Sequence, residues 1–153
     1  MLLRPNVTKL VLATALGLAL ASATLAVGKD KAEYVSGPFD AISAGTEGAI
    51  SAASDRLVFV AEGASGLAEI PWARILDVEY AQKRTGLFET RHHFVSIDFR
   101  DERGVERRLR LELGKDIVLE LLDACEQGTG RRVVYGDDDA ASYRRENAPF
   151  KSS

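Results

Sequence analysis

Hydrophobic residues through the middle of this chain recur at every second position, and near its end they switch to helical spacing. The clearest alternation runs over residues 105–113. Val105, Leu109, Leu111 and Leu113 share one face with Arg107, while Glu106, Arg108, Arg110 and Glu112 share the other. Period two over such a run predicts a half-buried antiparallel strand. Residues 93–100 put Val95, Ile97 and Phe99 inward, and residues 75–81 put Leu76, Val78 and Tyr80 on one face. Shorter runs at 47–52, 56–62 and 67–70 predict three more strands. Ser54-Asp55, the GASG run at 63–66 and the stretch Asp101–Gly104 supply turns, and Pro71 closes the strand at 67–70. Over residues 115–127 the apolar positions Ile117, Val118, Leu121, Leu122 and Cys125 fall on one helical face. Gly114 starts this helix, Asp116 favours its N-terminus and Gly128 is placed to close it. Residues 131–135 predict a short extended piece.

The two ends have different patterns. Arg4 and Lys9 precede residues 10–27, a stretch without a charge, and Ala21-Ser22-Ala23 and Thr24-Leu25-Ala26 offer cleavage sites. A basic start, an apolar run and small residues at its end predict an export signal over 1–26. The rival reading is an uncleaved anchor at 10–27, a length just able to span a bilayer. Either way the reading is an exported protein, periplasmic or secreted. Residues 27–45, with Gly37-Pro38 and scattered charge, predict a linker. Residues 136–153, with Asp137, Asp138 and Asp139 in succession and no apolar period, predict a disordered tail. One domain is left, over residues 46–135.

Composition narrows the function classes. The 153 residues carry 20 Lys and Arg against 23 Asp and Glu. Without Arg4 and Lys9 the balance is 18 against 23, or −5. Such a chain has no global attraction for nucleic acid or anionic lipid, so electrostatic binding has to be local. One cysteine excludes a disulfide framework and a cysteine-based zinc site. No triad spacing, glycine-rich phosphate loop or paired-acid motif is present, so no catalytic residue, cofactor or metal is assigned.

Six strands joined by short turns and followed by one amphipathic helix predict a mainly β, α+β fold. The order is that of a small barrel or two packed sheets, with the helix covering an open end. The stretches EGAISAASDRLVFV at 47–60, EIPWARILDVEY at 69–80 and LELGKDIVLELLDACEQGTGRRVVY at 111–135 resemble exported bacterial proteins of unknown function with a pleckstrin-homology-like, GRAM-type domain. The resemblance implies a barrel of about six to seven antiparallel strands capped by the helix. It implies no activity. Relatives carry a longer apolar insertion where this chain has only RTGLFETRH between Lys83 and His93. Ligand-binding pleckstrin-homology domains place several basic residues on their first hairpin. The matching stretch here, SAASDRL at 51–57, offers only Arg56, so phosphoinositide binding does not carry over.

The main candidate site is the loop 83–93, where Lys83, Arg84 and Arg91 flank Leu87 and Phe88. A basic rim around an apolar tip suits docking on a protein partner or dipping into a headgroup layer. The competing structural reading folds Leu87 and Phe88 back onto the barrel. His92 and His93 are strand neighbours and point to opposite faces, so they do not share a metal. They are expected as partly exposed surface imidazoles. The arginines at 100, 103, 107, 108 and 110 are balanced by Asp98, Asp101, Glu102, Glu106 and Glu112, predicting cross-strand ion pairs. Cys125 is expected as a buried small hydrophobe, and Trp72 as core at a strand bend. The function predicted is a non-enzymatic binding or scaffolding module that contacts another protein at the cell envelope, with peripheral membrane binding as the alternative.

Overall fold

The computed structural model describes residues 32–63 and 66–148. The predicted signal at 1–26 lies outside them. Among the described residues eight strands form one sheet: β1 (Ala32–Ser36), β2 (Thr46–Ala52), β3 (Arg56–Ala61), β4 (Leu67–Pro71), β5 (Ile75–Thr85), β6 (Thr90–Arg100), β7 (Glu106–Leu113) and β8 (Val134–Tyr135). A single 3-10 turn, Trp72–Arg74, joins β4 to β5, and two helices, α1 (Lys115–Thr129) and α2 (Asp138–Asn147), follow β7. The strand order is β4-β3-β2-β1-β7-β6-β5-β8. The first seven pair antiparallel, and β8 runs parallel to β5. The end strands β4 and β8 do not pair with each other, so the sheet is open rather than a hydrogen-bonded barrel.

Alternation builds the inner face. Val95, Ile97 and Phe99 of β6 and Leu109, Leu111 and Leu113 of β7 are buried, as their spacing predicts. The predicted face of β5 shifts by one residue at its start. A register irregularity between Ile75 and Asp77 turns Ile75 inward and leaves Leu76 half-buried. Val105 lies outside β7 and is 45% exposed, and Arg107 turns to Asp101 at 3.1 Å.

Helix α1 closes the core. Ile117, Val118, Leu121, Leu122 and Cys125 are all buried, and the helix touches β2, β5 and β6 from both halves of the sheet. Each such aliphatic side chain contributes about 1.5–3 kcal/mol on leaving water. The predicted stop at Gly128 is displaced by two residues. Trp72 lies against Gly128 so closely that a Cβ there would sit 2.4 Å from the indole ring. Glycine therefore serves packing at that point, and the helix runs on. Gly130 ends it in the left-handed region at φ +69°, with its N–H donating to the Glu126 carbonyl at 2.9 Å. Trp72 itself is buried, and its indole N–H donates to the Ala53 carbonyl at 2.9 Å.

Two boundaries differ from the sequence reading. Within the expected linker, β1 takes a central place between β2 and β7. Ala32 and Tyr34 face the core and Glu33 faces out, an alternation too short to register as a pattern. Within the expected disordered tail, α2 forms and docks against β5 and β8. Asp137 is its N-cap, accepting from the Ala140 N–H at 2.6 Å. Arg144 anchors its other end on α1, bonded to the Leu119 carbonyl and to Asp123.

Candidate functional site

The longest strand pair, β5 and β6, pairs from Ile75↔Phe99 out to Thr85↔Thr90. On the far side of β6, pairing with β7 stops at His93↔Leu113. Three further β5–β6 pairs therefore extend past the sheet as a two-stranded finger, about 10 Å at 3.3 Å per residue. The turn at its end uses Gly86 at φ +76° and Glu89 at φ +47°. Among the described residues no core surface lies beyond the sheet for the turn to fold onto. Leu87 is accordingly 100% exposed and Phe88 94% exposed. The expectation that these two side chains fold back is thus corrected.

The finger gathers all five residues singled out in the loop, but not as equals. Arg84 is neutralised: it pairs with Glu89 at 3.2 Å and with Asp139 of α2 at 3.3 Å. Lys83 and Arg91 are exposed and have no carboxylate partner among the described residues. Arg91 stands across the strand pair from Arg84. The result is an apolar tip above two unpaired cations.

The histidines divide between the two faces, as strand parity requires. His92 faces out and bridges two groups, with Nε2 2.7 Å from the Thr85 hydroxyl and Nδ1 2.6 Å from a Glu112 carboxylate oxygen. Facing a carboxylate, Nδ1 must carry the proton and donate. This chain of bonds fixes the root of the finger to β7. His93 faces in and is 3% exposed, correcting the expectation of a surface imidazole. Parity with Val95 and Ile97 was the available signal. Its Nδ1 lies 2.7 Å from the Tyr80 hydroxyl, which accepts from the Gln82 side-chain N–H at 2.7 Å. The Tyr143 ring of α2 packs on His93 at 4.9 Å. Burial, followed by the charges of Arg91 and His92, lowers the His93 pKa below its ordinary 6.5. Burial also pushes the Tyr80 phenol up to about 12.

Between the root of the finger and the start of α1 lies a cleft of about 640 Å³. Arg91, His92, His93, Lys115 and Tyr143 line it together with Glu33, Glu47 and Glu112. Charges of both signs meet there. Among the described residues no group of three His, Cys, Asp or Glu side chains is placed to hold a metal ion. Cys125 is buried on α1, and burial pushes its thiol up to about 12, which leaves it protonated and unreactive at neutral pH. On the outer face of the last hairpin Arg108 forms two bonds of 2.7 Å to Asp98, the ion pairing expected from the sequence. No helix among the described residues is long and apolar enough to cross a membrane. No family model matches the chain, and no curated protein matches it.

Proposed function

We propose that this protein is an exported, non-catalytic binding module that docks on a protein partner at the cell envelope through the tip of the β5–β6 finger. The observation that carries this reading is the adjacent Leu87-Phe88 pair, presented to solvent at the end of a two-stranded stalk. A folded protein gains nothing by holding two large apolar side chains in water. An aromatic anchor entering a partner's pocket recovers about 1.5–3 kcal/mol for each side chain. The long ladder behind the tip keeps the ordering cost of docking low. Export is supported by the charge and apolar pattern of residues 1–26. A pleckstrin-homology-like scaffold is part of the same proposal. It is supported by seven antiparallel strands followed by a helix whose apolar stripe packs on both halves of the sheet.

A second reading has one specific observation in its favour. Lys83 and Arg91 stand unpaired beneath the apolar tip, a disposition that also suits an anionic lipid surface. The test compares the full chain with a Leu87→Ser/Phe88→Ser variant in pull-downs from solubilised envelope, with intact mass of the recovered chain. A protein partner retained by the wild type and reduced at least tenfold by the variant supports protein docking. Cosedimentation with anionic vesicles, lost on Lys83→Glu/Arg91→Glu and with no protein partner recovered, replaces it with the membrane reading. Equal recovery of every component by both chains rejects the tip as the docking element.

A further inference from the structure

We infer that α2 is a pH-released latch, held shut by uncharged His93 and freed when that imidazole takes a proton.

The hydrogen bonding at His93 suits the neutral ring. Gln82 donates its side-chain N–H to the Tyr80 oxygen, which leaves the Tyr80 O–H to donate to His93 Nδ1 when that atom offers a lone pair. A proton on Nδ1 reverses this bond, and the Tyr80 O–H then has to find another acceptor. The ring is 3% exposed beneath Tyr143, so a charge on it is cut off from water.

The charged surroundings also oppose the cation. From β6 itself the charge of Arg91 acts on the ring, and that of His92 acts on it from the opposite face of the strand. From β5 come Tyr80 and Gln82, and from α2 comes Tyr143, none of them a carboxylate. Lys115 of α1 and the carboxylates Glu33, Glu47 and Glu112 stand around the adjoining cleft. Glu112 favours a charged His93, but its carboxylate is already bonded to His92.

Of the elements against His93, α2 is the one that can leave. It buries a single residue, Ala140, whereas α1 buries six. Its hold consists of Asp137, which accepts from the Gln82 backbone N–H at 2.8 Å, the Arg84–Asp139 pair, the Arg144 bonds to α1, and the Tyr143 ring on His93. Releasing it admits water to His93 and restores solvation of the cation. The sign follows from linkage. The latched state depresses the His93 pKa, so its advantage is complete above pH 6.5. That advantage is lost as pH falls below 6.5 toward the lower latched value. Asp98 and Asp101, both held below the usual 3.8, lose their contribution only in stronger acid and stay out of this window.

Amide hydrogen exchange on the full chain tests the latch, with rates corrected for the intrinsic pH dependence of exchange. Residues 138–147 are expected to lose protection severalfold between pH 7.5 and pH 5, while β6 and β7 stay protected. The non-titrating His93→Gln variant is expected to lose less than twofold, and His92→Gln to behave as the wild type. Should His93→Gln fail to fold, imidazole NMR of the wild type replaces it, with the His93 titration midpoint expected to coincide with the α2 transition. Unchanged protection at pH 5, an undiminished response in His93→Gln, or an α2 transition at a midpoint different from that of His93 would overturn the inference.

Discussion

Gly128 shows how one residue reconciles two demands. A glycine inside a helix costs about 1 kcal/mol against alanine. Here it makes room for the Trp72 ring, which carries the turn from β4 into β5. Gly128→Ala is therefore expected to destabilise the protein by about 1–3 kcal/mol despite the gain in helix propensity. A lowered urea midpoint with an unchanged slope would show it. A stabilised variant would mean that the Trp72 ring moves aside freely. Histidine parity is legible at the same scale. Opposite faces for His92 and His93 follow from the pleat alone. The burial of one and the carboxylate bond of the other depend on partners 13 to 50 residues away, which no local pattern reports.

At the scale of elements, the strands with clear alternation were readable and the two flanking elements were not. β1 has five residues and draws its stability from pairing on both edges, with β2 and with β7. α2 carries only one buried residue, so it has no apolar period to read. Its signature lay in its ends: an Asp137 cap with Asp138 and Asp139 in the first turn, and Arg144 and Arg145 in the last. These charges suit the helix dipole, and the same three aspartates also resemble a solvated tail. Asp137→Ala removes both the cap and the bond to the Gln82 backbone, which costs about 1–2 kcal/mol locally. Exchange of amides 138–147 is expected to quicken about tenfold at neutral pH, with β6 and β7 unaffected. Uniform quickening over all elements would instead make α2 part of the cooperative core.

The whole molecule separates its stabilising parts from its docking part. Apolar side chains from seven of the strands and from both helices gather in one cluster, and the finger tip contributes nothing to it. Leu87→Ser/Phe88→Ser is therefore expected to leave the thermal midpoint within about 3 °C of the wild type, as for surface changes worth under ~0.5 kcal/mol. A larger fall would mean that the tip packs on the protein in solution. The strand periods, the helix stripe, the turn at Asp101–Gly104 and the burial of Cys125 and Trp72 were all determined by the sequence alone. They are local consequences of residue spacing and of how apolar side chains leave water. Only the tertiary structure decided that β1 is central, that α2 docks, that the sheet stays open, and that Leu87 and Phe88 remain in solvent. Each of these depends on contacts between segments far apart in the chain, which no local pattern of residue types reports.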